Sequence, residues 1–257
     1  MTTLLIDLGN TALKWTTMDE PDSPHMIVHR GSTHFMEELY ELWLRMRPAR
    51  ILGCSVAASD VAFSLTKFFN EHNIDWNWVR SQSQFNGDFN LRNEYANPRQ
   101  LGADRWFAAV GAVDTMPESS LLVVHTGTAT TVDSIISLGK GEYSFLGGRI
   151  APGPSLMRDC LTNGIPSISD ELGQYRPYPS RTSEAVTAGI IDAQVGLIMR
   201  AKNVMDHKGT APRVVLAGGA AQFIAPYLRE EIPNLIVRHN LVLRGLAALA
   251  KVKGANA

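Results

Sequence analysis

Cysteine is nearly missing from this chain. Cys54 and Cys160 are the only two in 257 residues, and neither belongs to a CxxC pair. Two isolated thiols exclude a disulfide framework, fit a reducing compartment, and read as buried structural side chains. The seven histidines contain no HExxH spacing and no Cys/His cluster, so no zinc site is supported. His125 and His239 accordingly read as structural. An excess of charge is missing too: 24 Lys plus Arg stand against 25 Asp plus Glu, a formal net charge of −1. That balance gives no long-range attraction for phosphate polymers and argues against nucleic-acid binding. No apolar run approaches the roughly 20 residues needed to span a bilayer, so no membrane partner is expected. Met1-Thr2-Thr3 runs straight into a strand-like stretch with no basic n-region or cleavage site, which makes the cytoplasm the expected compartment. The Walker A pattern GxxxxGK[ST] is absent as well.

What is present is the material of a globular core, 45% hydrophobic and 19% charged. Leu4-Leu5-Ile6 reads as a buried strand stopped by Asp7 and Gly9, and residues 12–16 as the returning strand. Helical spacing recurs over 35–46, 61–70, 103–113, 183–202 and 241–252, with strands over 50–56, 121–124, 130–136 and 214–216. Residues 80–100 are polar and loop-like. Strands alternating with helices predict an α/β protein. The stretch around Asp7-Leu8-Gly9-Asn10 resembles the one after Val124, with Gly9 against Gly127 and Asn10 against Thr128. Such self-similarity points to a duplicated unit. The expected domains are 1–115 and 116–257, with the two glycine turns facing each other across a cleft.

Several segments can do chemistry. In Asp7-Leu8-Gly9-Asn10-Thr11, glycine removes the Cβ that would keep a polyphosphate off the backbone, so main-chain N–H groups can meet phosphate oxygens. Asn10 and Thr11 add neutral donors, and Lys14 adds a point charge. Asp7, at a strand end, is placed to orient Mg²⁺ through water. The same residues also fit an ordinary hairpin turn. A second hydroxyl-rich turn, Gly127-Thr128-Ala129-Thr130-Thr131, favours phosphate, because two such turns can grip a triphosphate; the threonines equally suit strands. In Pro98-Arg99-Gln100-Leu101-Gly102-Ala103-Asp104-Arg105-Trp106, Asp104 falls in a first helical turn, where the macrodipole stabilises an anion. It reads either as a plain helix-end charge with Arg105 in a surface pair, or as a general base beside an Arg that holds an anionic substrate. Residues 146–154 are too dense in Gly and Pro for regular structure and read as a site loop or a tight connection.

DLGNTALK at 7–14, PRQLGADRW at 98–106, GTATTVD at 127–133 and GGRIAPG at 147–153 together resemble type III pantothenate kinase over nearly the whole chain. The resemblance implies an actin-like (ribonuclease H-like) fold of two similar α/β domains flanking an ATP cleft. It also implies ATP-dependent phosphorylation of pantothenate to 4′-phosphopantothenate, the first step of coenzyme A synthesis. Mapped onto this sequence, Asp7, Leu8, Gly9, Asn10, Thr11, Ala12, Leu13, Lys14 and Thr128 bind Mg-ATP. Tyr95, Gly102, Ala103, Asp104, Arg105 and Thr182 bind pantothenate, and Asp104 is the catalytic base. A homodimer is implied. The family usually has Asp where His125 stands, and that Asp helps hold K⁺ or NH₄⁺. Histidine lacks the oxygen that K⁺ prefers, so weak or absent monovalent-cation dependence is expected. The rival expectations are a same-fold kinase or phosphatase for a sugar or polyphosphate, and a non-catalytic accessory factor for transcription.

Overall fold

The computed structural model describes residues 2–34, 36–57 and 59–255. Its chain falls into two compact units, Met1–Glu118 with Leu138–Phe145 and Asn240–Ala257, and Ser119–Ser137 with Leu146–His239. Residues 138–145 and the C-terminal helix thus belong to the first unit.

The first unit opens with β1 (Thr3–Leu8), β2 (Ala12–Thr17) and β3 (His25–Val28), followed by α1 (Met36–Met46), β4 (Arg50–Ser55), α2 (Ser59–Glu71) and β5 (Asp75–Trp78). The five strands form one sheet in the order β3-β2-β1-β4-β5. The first three are antiparallel neighbours, and β1, β4 and β5 run parallel. The helix expected from Phe35 begins at Met36, Phe35 itself lying outside the described residues. Strand β1 is central, which explains its unbroken apolar run: a strand covered on both faces need not alternate. Leu4, Ile6 and Leu8 join the cluster of Trp15, Trp43, Val61, Leu65 and Phe69 under α1 and α2. The period of two sends Leu5 and Asp7 to the opposite face.

That opposite face is covered by α3 (Ala103–Thr115), and by a C-terminal helix that becomes α7 (Leu241–Ala255) once the second unit's helices are counted. The two helices touch backbone to backbone. A Cβ at Gly111 would come within 2.0 Å of the Leu241 carbonyl oxygen, and one at Gly245 within 2.0 Å of the Phe107 oxygen. This close approach buries α3 on nearly every side, from Arg105 through Val113, where the sequence pattern predicts a single apolar stripe. The polar stretch 80–100 is not purely loop. It holds β6 (Gln84–Asn86) and β7 (Asn90–Asn93), and β7 pairs in parallel with residues 142–145. Strands this short have too few residues to show alternation.

The second unit contains β8 (Leu121–Thr126), β9 (Ala129–Gly139) and β10 (Glu142–Pro152), the latter two reaching into the first unit at their joined ends. It continues through α4 (Pro154–Gly164), α5 (Thr182–Asp206), β11 (Arg213–Ala217), α6 (Ala221–Glu231) and β12 (Ile236–Val237). Its five strands lie in the order β10-β9-β8-β11-β12 within a seven-stranded sheet that continues from β10 into β7 and β6, and this five-strand order repeats that of the first sheet. Here too β8 is antiparallel to β9 and parallel to β11, which is parallel to β12. The core packs Leu122, Val124, Val132 and Leu216 against Ile191, Ile198, Ile224 and Leu228. Residues 146–152 are strand, correcting the expectation of irregular structure: Gly147 takes φ 126° inside β10 without ending it. Cys54 is buried as expected, but Cys160 on α4 is exposed. Among the described residues no helix is long and apolar enough to cross a membrane.

Candidate active site

The β1–β2 hairpin places one charge of each sign side by side. Asp7 pairs with Lys14 across the hairpin and with Cys54 across the parallel β1–β4 contact. All three therefore project to the face that α3 covers. Between the strands the chain turns at Gly9-Asn10-Thr11, closed by the Gly9 N–H to the Ala12 oxygen at 3.0 Å. The residues just after β3 brace the turn from outside: the N–H groups of His29 and Arg30 donate to the Thr11 oxygen at 2.8 and 3.0 Å.

Asp104 enters this face from the first turn of α3, whose N-cap is Gly102. Its carboxylate is held by the backbone N–H of Arg105 and by its own N–H. Burial raises its pKa above the ordinary 3.8, and those two bonds and the Arg105 charge oppose the rise. Asp7 is pushed up to about 6, by burial first, against the pull of Lys14 and with the added repulsion of Asp104. The Asp104 charge thus weighs on Asp7. The buried Cys54 thiol lies well above its usual value for the same reasons, burial and then the two carboxylates. It is an inert neighbour rather than a nucleophile.

Arg105 is buried, at 7% exposure, which rules out the surface pair considered from the sequence. Its Nη1 donates to the Tyr95 hydroxyl at 3.0 Å, with the guanidinium 5.8 Å from that ring's centre. Tyr95 is in turn fixed by its own N–H donating to Asn93 Oδ1 at 3.1 Å. The loop between Tyr95 and Gly102 is pinned by Ser81, whose hydroxyl lies 2.8 and 2.7 Å from the carbonyls of Pro98 and Leu101. Asn97 caps the single 3₁₀ turn after it, accepting from the Arg99 N–H. Thus Asp7, Lys14, Gly102, Asp104, Arg105 and Tyr95 belong to one unit, with the Asp104 charge acting on Asp7.

Among the described residues no group of three or more His, Cys, Asp and Glu could by itself hold a metal. Mg²⁺ does not require one, because it keeps several waters and takes one or two carboxylates with the phosphates of its nucleotide. Two half-buried carboxylates, Asp7 and Asp104, the charge of one weighing on the other, fit such an ion, since a cation relieves the cost of their ionisation.

The second unit carries the other expected residues. Thr128 is exposed on the β8–β9 turn, which is closed by the Gly127 N–H to the Ala129 oxygen at 3.0 Å. Two further glycines frame this turn. A Cβ at Gly153 would lie 2.0 Å from the Gly127 oxygen, and one at Gly218, where φ is +100°, would lie 2.1 Å from the Thr126 oxygen. The role of the GGRIAPG stretch is thereby visible: its last glycine seats against the turn. His125 sits on β8 between Thr131 of β9 and Ala217 of β11. Thr182 is exposed at the start of α5. The segment before it is tied down by buried Glu184, which accepts from the Ser180 N–H at 3.2 Å and from Arg176 at 3.1 Å. Its carboxyl is correspondingly held below the usual range.

A lone histidine such as His29 carries no signal in the sequence, whereas Gly153 falls in the stretch read as a site loop or a tight connection, with no sign of its partner.

The family model for type III pantothenate kinase matches residues 3–203. A type III pantothenate kinase of Albidiferax ferrireducens is 34% identical over 260 residues, 97% of this chain and 98% of the relative. Two solved structures are similar over nearly their full length. A Campylobacter jejuni protein assigned to the Baf family of transcriptional activators has TM-score 0.58 at 18% identity, covering 99% of this chain and 100% of its own. The activator of 2-hydroxyisocaproyl-CoA dehydratase from Clostridium difficile, with bound ADPNP, has TM-score 0.55 at 14% identity, covering 100% and 98%. At such identity these two speak for the fold alone, which is actin-like.

Proposed function

The chain belongs to the type III pantothenate kinase family, and we propose that it phosphorylates pantothenate from ATP, the first step of coenzyme A biosynthesis, with Asp104 as general base. The observation behind the role of Asp104 is its half-buried carboxylate at the head of α3, with a raised pKa, acting on Asp7. A raised pKa makes a carboxylate a better proton acceptor near neutrality. Asp104 takes the proton of the primary alcohol as that oxygen bonds to the γ-phosphorus. The bond from that phosphorus to the β–γ bridging oxygen breaks, and ADP leaves. Phosphoryl transfer demands mainly position and charge stabilisation. Asp7 through Lys14 hold the nucleotide phosphates, the Lys14 charge opposing theirs, and Thr128 contacts ATP. Asp7 would hold Mg²⁺, which when bound would neutralise charge on the phosphates.

Tyr95, Gly102, Ala103, Arg105 and Thr182 bind pantothenate. Arg105 meets its carboxylate, because a planar guanidinium pre-oriented by a tyrosine hydroxyl is suited to that group. His125 offers ring nitrogens where K⁺ prefers oxygen, so the enzyme works without a strong K⁺ requirement. A cytoplasmic homodimer completes the reading. The accessory-factor reading is not favoured, since the base, the lysine and the glycine turns are all retained and the net charge of −1 gives no pull on DNA. The test is ADP release coupled to a reporter, with pantothenate against hexoses. Turnover with pantothenate alone is expected; turnover with a hexose and none with pantothenate overturns the substrate assignment.

A further inference from the structure

His29 is 4% exposed and stands immediately after β3, 20 residues from the glycine turn that its ring reaches. Its Nε2 lies 2.9 Å from the Gly9 carbonyl oxygen, and the Gly31 N–H donates to its Nδ1 at 2.9 Å. The Gly31 contact assigns the two ring nitrogens their roles. A nitrogen that accepts an N–H bond holds no proton, so Nδ1 is bare and the single proton is on Nε2, directed at Gly9. The ring bridges the Gly9 carbonyl and the Gly31 N–H. A charged imidazolium would lose the Gly31 bond, and the other neutral tautomer would lose both.

The direction of the Gly9 carbonyl fixes that of the next peptide N–H. In a trans peptide the carbonyl and the next N–H point to opposite sides. A Gly9 oxygen drawn towards His29 therefore turns the Asn10 N–H away from it. Gly9 is also the residue in this turn whose backbone is least constrained by its own side chain. Its peptide plane would otherwise be the softest point of the hairpin. The His29 and Arg30 backbone N–H groups fix the Thr11 carbonyl at the other end of the turn. The segment 29–31 thus grips the hairpin at both ends, with the imidazole reaching to the first.

We propose that His29 is a positioning residue for nucleotide: its neutral imidazole sets the Gly9–Asn10 peptide plane so that the Asn10 N–H is presented to a phosphate oxygen. This rests on the reading of residues 7–14 as the ATP phosphate site. The role is distinct from catalysis, because His29 acts through the turn.

Three variants and one spectrum test it. His29→Phe keeps the bulk without the donor, His29→Ala removes both, and His29→Gln restores an amide donor for Gly9 with an oxygen acceptor for Gly31. With the full-length enzyme, steady-state kinetics and ATP-analogue titration should show KM and Kd for nucleotide raised roughly five- to tenfold in Phe and Ala, the scale of one net hydrogen bond. The KM for pantothenate should stay near wild type, and Gln should recover much of the loss. A long-range proton–nitrogen spectrum of the unaltered protein should show His29 as the neutral Nε2–H tautomer. An Nδ1–H tautomer, unchanged nucleotide affinity in Phe and Ala, or equal losses for both substrates overturns the proposal, even where one variant fails to fold. A wild-type protein that binds no nucleotide overturns the phosphate reading instead, and the tautomer then stands as a structural fact only.

Discussion

Gly102 has no room for a side chain because Asp104 occupies the space: a Cβ on Gly102 would lie 2.5 Å from Asp104 Oδ1. The backbone of Gly102 is ordinary, with φ −55° and ψ 135°, so the requirement is one of volume and not of conformation. The glycine before the helix is thus tied to the orientation of the proposed base.

The substitution Gly102→Ala should therefore separate stability from activity. The obstructing atom is the free end of a side chain, which can swing away at little cost, so thermal unfolding should show a loss of no more than about 1 kcal/mol. The displaced carboxylate is another matter, since a misplacement near 1 Å can cost about 100-fold in rate. Steady-state kinetics beside a melting curve measures both. A wild-type kcat/KM in Gly102→Ala contradicts the role given to Asp104.

Asp7 makes a pH-dependent prediction for protein free of Mg²⁺ and nucleotide. Its pKa is raised from 3.8 to about 6 in the folded state. Between those values the folded chain binds more protons than the unfolded one, so this group's contribution to stability falls as pH rises through that window. Above pH 6 the buried charge is fully destabilising. Asp7→Asn should then be more stable than wild type at pH 7, by on the order of 2 kcal/mol, and the advantage should shrink towards pH 4. Urea unfolding in EDTA across pH 4–7.5 measures it, and a difference independent of pH contradicts the burial argument.

The cation prediction turns on His125. Turnover compared in KCl, NH₄Cl and NaCl at constant ionic strength should vary little. Strong activation by K⁺ over Na⁺ contradicts it, and would point to other oxygen donors in the second unit. His125→Asp should increase K⁺ dependence, because it restores an oxygen ligand.

The parts of the site that were legible in the sequence are those formed by neighbours along the chain. The strand 4–6, its stop at Asp7 and Gly9 and its return through Lys14 follow from an apolar run and turn chemistry, and β1 and β2 pair accordingly. Asp104 at a helix start follows from Pro98 and Gly102. The parts that escaped depend on contacts with no local period. Cys54 meets Asp7 only because β4 runs parallel to β1 after a crossover. The grip of His29 on Gly9 spans a strand pairing that leaves β3 exposed and poorly patterned. The helix α7 reads as the end of a second domain, yet two glycines, 111 and 245, let it seat on α3 in the first unit. Backbone contact of that kind leaves only small residues in the sequence, and these are equally common in turns.

The most direct measurement is the turnover of Asp104→Asn with ATP and pantothenate, set beside its affinity for an ATP analogue. Asparagine keeps the size and removes the base. Turnover should fall by about 100- to 10,000-fold, the range for loss of a positioned general base, with nucleotide affinity held near wild type. Near-normal turnover would contradict the assignment of Asp104, and with it the mechanism built on the half-buried carboxylates of Asp104 and Asp7.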